Sequence, residues 1–206
     1  MQAVITADIV NSTFLPQLQF QELIEKIREQ FTNPDQIEFY RGDSFQVLAG
    51  DGRKAFINCL LCRFQAIALT INERIDIRQS ISLGEVKGKV DHLGSHVEDI
   101  FVSSGRTFDK LSDSGRRLLI ICGDEDRDVA FELIAQYTDS LISQITPKQA
   151  AVLYYLLSGK NQSEIAKLLK KTGATINQHV KTSRFDEIQS LVQKYEQLTN
   201  KIAHGK

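Results

Sequence analysis

The chain has 206 residues, of which 42% are hydrophobic and 25% are charged, a composition that excludes intrinsic disorder and fibrous architectures. No apolar run reaches the ~18 residues that span a bilayer. The start, MQAVITADIV, lacks the basic and apolar regions of a signal peptide. The odd count of three cysteines argues against a disulfide framework and fits a reducing compartment. We therefore expect a cytoplasmic protein without a membrane partner.

The net charge of −1 hides an uneven distribution along the chain. Residues 1–143 carry 15 Lys and Arg against 22 Asp and Glu, a net charge of −7. Residues 144–206 carry 10 against 4, a net charge of +6. Such asymmetry favours an acidic module followed by a basic module that meets nucleic acid. A chance distribution of surface charge is the alternative.

The front of the chain alternates strand-like and helix-like segments. A β-branched stretch interrupted by Asp8 predicts a buried strand, and Gly42-Asp43 between two apolar runs predicts a two-residue hairpin turn. Pro34 is expected to end the first helix. The predicted elements are strand 2–10, helix 17–31, strands 37–41 and 44–49, helix 53–72, strand 75–86, loop 87–97, helix 98–113, strand 118–123 and helix 126–144. This order predicts an α+β domain over residues 1–143 with a ferredoxin-like or palm layer, βαββαβ.

From about Thr146-Pro147 onward, short helices without strand signals predict a second, all-α domain over residues 144–206. Helices are expected at 147–157, 162–170 and 174–183, with a tight turn before the last. The outward polar side chains of the last helix suit base edges and phosphates in a DNA major groove. The candidate DNA-binding residues are Thr172, Ala174, Thr175, Asn177, Gln178 and Lys181.

The segment ITPKQAAVLYYLLSGKNQSEIAKLLKKTGATINQHVK resembles the helix-turn-helix of LuxR-type regulators and of sigma-factor-like DNA-binding domains. That resemblance implies double-stranded DNA as the partner. The segment departs from the pattern at Lys170, where a turn glycine is usual, and at Lys171, where an apolar residue is usual. A helical dimerisation or docking bundle is the alternative. A following apolar stripe over residues 188–202 either packs back on the bundle or pairs with a second chain in a homodimer.

Two aspartates in the front module stand out, because a buried carboxylate is costly unless it is paired or bound to a cation. Asp8 lies in the first strand and Asp43 on the hairpin expected beside it, so both can converge on a hard cation such as Mg²⁺. Asn11, Ser12 and Thr13 follow at a predicted helix entry, where free backbone N–H groups favour phosphate. These five residues form a candidate site for a metal and a nucleotide.

Three short motifs resemble nucleotidyl cyclases of the adenylate/guanylate type: ADIVNST, RGDSFQV and FVSSGRTF. The resemblance implies that Asp8 and Asp43 hold Mg²⁺ or Mn²⁺ with a nucleotide and that Arg106 contacts phosphate. The sequence departs from the family at Val102, where an asparagine is usual, and at Phe39, where a purine-selecting lysine is usual. Because a cyclase lacking both would have poor base selection and poor transition-state electrostatics, a degenerate cyclase-like domain is expected.

The whole combination resembles the SatD-like bacterial family, through the stretch GRTFDKLSDSGRR and a helix-turn-helix tail after a cyclase-like front. We expect a DNA-binding protein, a transcriptional regulator whose front domain senses a ligand or dimerises. A metal-dependent nucleotide-binding or cyclase-like enzyme with a regulatory tail is the alternative, and a protein-interaction module is a third possibility. For Asp8, the structural alternative is a carboxylate that accepts helix N–H bonds or pairs with Arg41 or Arg106.

Overall fold

The structure is a computed structural model, described for residues 1–31, 35–88, 90–95 and 98–203. Pro34, which is expected to end the first helix, and part of the loop predicted over 87–97 lie outside these ranges. Within them, the chain is a mixture of helices and one sheet, as the α+β prediction requires.

Five strands form the sheet: β1 (Gln2–Val10), β2 (Gln36–Tyr40), β3 (Ser44–Ala49), β4 (Asp76–Gly84) and β5 (Leu118–Ile121). Their order across the sheet is β2-β3-β1-β4-β5. The first four strands pair antiparallel with one another, whereas β5 is parallel to β4. The two βαβ units therefore interleave as in the predicted βαββαβ layer, with β5 added at one edge.

The helices of the described residues are α1 (Gln17–Gln30), α2 (Ala55–Ala68), α3 (Asp99–Ser114), α4 (Glu125–Ser143), α5 (Pro147–Leu157), α6 (Gln162–Leu168), α7 (Gly173–Thr182) and α8 (Phe185–Ala203). Their order along the chain agrees with the predicted one. None of the helices in the described ranges is both long and apolar enough to cross a membrane.

The central strand β1 separates the two faces of the sheet, because successive side chains of a strand point to opposite sides. On one face, its alternate residues enter the main core with side chains of α1, α2 and α4; these residues are Ala3, Ile5, Ala7 and Ile9. On the other face, Val4 packs in a smaller cluster with Ile100 and Phe101 of α3. Thr6 and Asp8 share that second face, which is therefore only partly apolar.

The connection between β2 and β3 differs from the predicted two-residue turn. Tyr40 pairs with Ser44, so the loop has three residues, of which Arg41 (φ 52°) and Gly42 (φ 91°) adopt left-handed backbone conformations. Gly42 tolerates this region because it has no Cβ, whereas Arg41 is held there by the hairpin. The carbonyl of Asp43 accepts a hydrogen bond from the Ile9 N–H at 3.0 Å, which fastens the loop to β1.

The helices after residue 143 pack against the same core as the sheet. Buried side chains of α5 and α8 join those of α2 and α4 in one cluster; they are Ala150, Leu153, Ile188, Leu191, Val192 and Tyr195. The apolar stripe over 188–202 thus packs back on the rest of the chain. The Tyr195 hydroxyl is fully buried and donates to the carbonyl of Gly52 at 2.7 Å, while its ring lies 5.1 Å from that of Phe56.

A buried ion-pair network joins α2, β4 and α4. Arg63, only 1% exposed, donates to both oxygens of Asp76 at 2.9 Å and to Asp139 at 2.7 Å. Burial acts to lower the pKa of Arg63, but the two carboxylates outweigh it, so the pKa is raised and the guanidinium stays charged. Removing Arg63 would leave the carboxylates of Asp76 and Asp139 without the counter-ion that they share.

We expect the Tyr195→Phe substitution to lower the free energy of unfolding by about 1–3 kcal/mol, because the buried carbonyl of Gly52 loses its donor. Urea unfolding followed by circular dichroism measures the change. Tyr154→Phe on the half-buried part of α5 is the matched control, expected to stay within about 0.5 kcal/mol. Equal stability of Tyr195→Phe and the wild type would contradict the anchoring role of this bond.

Candidate functional site

Asp8 is paired with an arginine that the sequence analysis did not select. Asp8 and Arg78 stand directly opposite each other in the β1–β4 ladder. Arg78 donates from Nε to Oδ1 at 3.0 Å and from Nη2 to Oδ2 at 2.6 Å, and its guanidinium lies 5.5 Å from the ring centre of Phe108. The predicted structural alternative for Asp8, an ion pair, is therefore present, but with Arg78 in place of Arg41 or Arg106.

The carboxylate oxygens of Asp8 and Asp43 are not arranged to bind a divalent cation. Both oxygens of Asp8 accept from a guanidinium, whose charge repels a cation. Oδ2 of Asp43 accepts from the Ser12 hydroxyl at 2.7 Å. Within the described ranges, no group of three or more Asp, Glu, His or Cys side chains is placed to hold a metal ion. In this arrangement Asp8 is paired with Arg78 and not left open for a cation.

The loop after β1 differs from the predicted helix entry. Residues Ser12–Phe14 form a single 3-10 turn, and α1 begins only after Pro16, which lacks an N–H and fits the start of a helix. Asn11 adopts a left-handed conformation (φ 62°) and donates from Nδ2 to the carbonyl of Arg74 at 2.9 Å. The Asn11 and Ser12 side chains thus hold the loop against the segment before β4 and against the hairpin.

Two concavities adjoin the hairpin between β2 and β3. A groove of about 410 Å³, the hairpin groove, is lined in part by Ser12, Thr13 and Asp43, so the structure brings these three predicted residues together, whereas Asp8 and Asn11 do not line it. A second concavity, the α3 cleft, of about 500 Å³, lies between α3 and the sheet. The exposed Arg41 lines both. Sequence reasoning missed Arg41 as a site residue, although an arginine directly before a turn glycine was a usable signal.

The α3 cleft combines aromatic walls with a polar floor. Tyr40, Leu93, Phe101 and Phe108 form its apolar part, and Thr6, Ser44 and Gln46 form its polar part. Along the floor, Gln46 Nε2 donates to Thr6 Oγ1 at 3.2 Å, and the Thr6 and Ser104 hydroxyls are 2.8 Å apart. Such a cavity has the size and lining of a small-molecule site.

Tyr40 is held at the mouth of the cleft by two neighbours. Its hydroxyl donates to Glu38 Oε2 at 2.5 Å, and this bond lowers the pKa of the Glu38 carboxyl. Burial, together with the same bond, raises the pKa of Tyr40. A Cβ on Gly94 would lie 2.9 Å from the Tyr40 hydroxyl, so the close approach of that loop depends on glycine.

The positions that depart from the cyclase pattern contribute no polar group to the cleft. Val102, 37% exposed, lines it with an apolar side chain. Phe39 points to the opposite face, where its ring lies 5.1 Å from that of Phe45 and 4.5 Å from the guanidinium of Arg28. Arg106 is exposed on α3 and lines neither concavity.

A separate small core holds α5, α6 and α7 together. Val152, Ile165 and Ile176 are at most 1% exposed and form its centre, one from each helix. The turn after α6 places Lys170 in a left-handed conformation (φ 51°). The N–H of Lys171 donates to the carbonyl of Ala166 and that of Lys170 to the carbonyl of Lys167, the hydrogen-bond pattern of a Schellman motif. The turn therefore forms without the usual glycine.

The candidate residues of α7 lie on its accessible side. Thr172 caps the helix by accepting from the Thr175 N–H at 3.2 Å. Five of the six candidates are exposed and Thr175 is half-buried; the exposed ones are Thr172, Ala174, Asn177, Gln178 and Lys181. In the described part of the chain, no hydrogen bond or ion pair engages the side chains of Asn177, Gln178 or Lys181, which leaves them available to an external partner.

Comparisons with known proteins give a weak structural likeness. No protein-family profile matches the chain, and no curated protein matches it. Among solved structures, one similar chain is the active GGEEF domain of a diguanylate cyclase from Vibrio cholerae, with 18% sequence identity and a TM-score of 0.45. The match covers 60% of this chain and 83% of that domain. At this level the likeness carries no argument about activity.

Replacing Tyr40 with phenylalanine is expected to raise the pKa of the Glu38 carboxyl toward its ordinary value, because its donor is lost. A carboxyl whose pKa is lowered by folding stabilises the protein above its unfolded pKa, and this contribution disappears as the pH falls through the folded pKa. Between neutral and acidic pH the variant should therefore lose less stability than the wild type. Carbon-13 NMR titration of Glu38 tests this, and an unchanged pKa would refute it.

Replacing Lys170 with glycine is expected to raise the free energy of unfolding by about 0.5–1 kcal/mol, because glycine adopts the left-handed conformation without strain. The neighbouring Lys171→Gly is the matched control. It lacks a positive φ and should be neutral or destabilising by up to about 1 kcal/mol. Thermal and urea unfolding of the two variants measure the difference, and a destabilised Lys170→Gly would argue against the strained turn.

Proposed function

We propose that the chain is a DNA-binding protein, a transcriptional regulator in which α5, α6 and α7 form a helix-turn-helix and α7 enters the major groove. The observation that carries this proposal is the outward face of α7. Its exposed Asn177 and Gln178 have no partner among the described residues, and such side chains can pair with adenine edges. Lys181, one turn further along, suits a phosphate or a guanine.

The charge around this face supports the proposal. The exposed basic side chains of α6, α7 and the segments before them are Lys160, Lys167, Lys170, Lys171 and Lys181. The acidic Glu164 on the same helices is committed to the cap of α6, where it accepts from the N–H of Asn161 at 2.8 Å. Neutralising DNA phosphates with these lysines would make binding strongly dependent on salt.

A second candidate function, nucleotide binding by the sheet module, rests on a different observation. The α3 cleft and the hairpin groove meet at Arg41, an exposed arginine without a carboxylate partner among the described residues. An aromatic cleft beside a basic side chain and the hydroxyl of Thr13 suits a base on one side and a phosphate on the other. On this proposal the sheet module supplies the ligand-sensing part of the regulator.

We expect Asn177→Ala and Gln178→Ala to relax base preference by about 1–3 kcal/mol at individual positions, because each removes a bidentate contact. Lys181→Ala should weaken binding to all DNA sequences alike. It should also reduce the slope of log affinity against log salt concentration by about one. Selection from a random duplex library, followed by fluorescence anisotropy at several salt concentrations, measures both effects.

The matched controls for these variants lie on α8, where Lys194 and Gln197 are also exposed. Lys194→Ala and Gln197→Ala should leave both the affinity and the base preference unchanged. If the chain binds no duplex at low salt, or if the α7 and α8 variants weaken binding equally, DNA recognition by α7 is wrong.

For the second candidate, we expect Arg41→Ala to weaken the binding of cyclic mononucleotides about 10- to 100-fold, because one charge-assisted contact to phosphate is lost. Isothermal titration calorimetry measures this loss. The control is Arg53→Ala, an exposed arginine whose partner is Asp51. Equal affinities of the wild type and Arg41→Ala would exclude the hairpin as the phosphate side of the site.

A further inference from the structure

We propose that Arg78 takes the place of a divalent cation beside Asp8, next to Phe108 in the wall of the α3 cleft, and that this cleft accepts a metal-free ligand of low charge. The ligand class is a nucleoside or a cyclic mononucleotide, in contrast to a metal-bound nucleoside triphosphate. This inference deepens the second candidate function and rests on it for the ligand, whereas its statement about Arg78 stands on the ion-pair geometry alone.

The first step is that the fold itself sets the pairing of Asp8 with Arg78. The two residues are direct cross-strand partners on the face of the sheet that α3 covers. Two near-parallel hydrogen bonds, at 3.0 and 2.6 Å, engage both carboxylate oxygens. Both side chains are only about one-fifth exposed, 21% for Arg78 and 20% for Asp8, so solvent screens the pair little.

The second step is that this pair excludes a cation by charge. A guanidinium remains protonated at all physiological pH values, so its positive charge is permanent. A magnesium or manganese ion would need the same carboxylate oxygens and would meet that charge at close range. Asp43 does not restore a two-carboxylate site, because both oxygens of Asp8 are engaged by Arg78 and Asp43 alone supplies a single carboxylate.

The third step concerns the charge of the ligand. Among the described residues that line the cleft and the groove, Arg41 is the one cation and Asp43 is the one carboxylate. Without a metal, these two charges offset each other. A nucleoside triphosphate would bring several negative charges to a site with no net positive charge, whereas a neutral or singly charged ligand needs at most one cationic contact, which Arg41 can supply.

The fourth step concerns the base. The walls of the cleft include the rings of Tyr40, Phe101 and Phe108, and its floor offers the amide of Gln46. Aromatic rings stack on planar heterocycles, and an amide can both donate to and accept from a base edge. At about 500 Å³, the cleft has room for a nucleoside.

The first part of the test titrates the protein with Mn²⁺ alone and measures the bound ion by electron paramagnetic resonance. The full-length wild type should bind no Mn²⁺ at Asp8, so that Asp8→Asn leaves the titration unchanged. Arg78→Gln should gain Mn²⁺ affinity by at least about tenfold, because a nearby positive charge is removed. This gain should disappear in Arg78→Gln/Asp8→Asn, and Arg53→Gln, which breaks an exposed ion pair elsewhere, should show none.

The ligand arm uses calorimetry with adenosine, guanosine and their cyclic monophosphates in EDTA, and with ATP and GTP plus Mn²⁺. Binding of a nucleoside or cyclic mononucleotide in EDTA, unchanged by Mn²⁺, is the expected result. Triphosphate binding that requires Mn²⁺ and is lost in Asp8→Asn would overturn the proposal.

Two further outcomes separate the claims. Binding of none of these compounds would refute nucleotide binding, and with it the ligand class, while the Mn²⁺ titrations would still decide the role of Arg78. If Arg78→Gln does not fold, the comparison of the wild type with Asp8→Asn decides alone: Mn²⁺ bound by the wild type and lost in Asp8→Asn would overturn the role of Arg78.

Discussion

The alternation of side chains along β1 is the constraint on which the rest of the structure depends. Because β1 pairs with β3 on one edge and with β4 on the other, its two faces define the two sides of the whole sheet. Small and branched apolar residues on one face build the core. On the other face, the Thr6 hydroxyl needs a hydrogen-bond partner, which is Ser104 of α3, and the Asp8 carboxylate needs a counter-ion, which is Arg78 of β4. The partly polar face beneath α3 follows from this division, and the α3 cleft lies there.

The C-terminal helices are not tethered loosely to this sheet, since α5 and α8 bury side chains in the core that α2 shares with β1. Arg74 adds a second link: its guanidinium donates to the carbonyls of Ile142 and Ile145 at the junction of α4 and α5. Its own carbonyl accepts from Asn11, in the loop beside the hairpin groove. A continuous set of contacts therefore joins the proposed ligand site to the helices proposed to bind DNA. Functional coupling along it would need two arrangements of these contacts with different ligand affinities.

Sequence reasoning succeeded where the signals are local. The order of strands and helices follows from periodicity, and the exposed face of α7 follows from the spacing of Ile176 and Val180. It failed where distant segments meet. The partner of Asp8 lies 70 residues away, and only the register of β1 with β4 identifies it. Likewise, nothing local shows that Arg41 lines two concavities, or that Ser12–Phe14 form a 3-10 turn ahead of α1.

The charge division of the chain links the two proposed activities. The front 143 residues carry a net charge of −7 and the last 63 carry +6. DNA phosphates repel the first part and attract the second, so the field of the duplex would orient the chain with α7 toward the groove. The same negative front makes the sheet module a poor host for a polyanion unless a cation accompanies it. With Arg78 already bound to Asp8, that cation has no place, and a neutral or singly charged ligand is the one that both the local ion pair and the overall field permit.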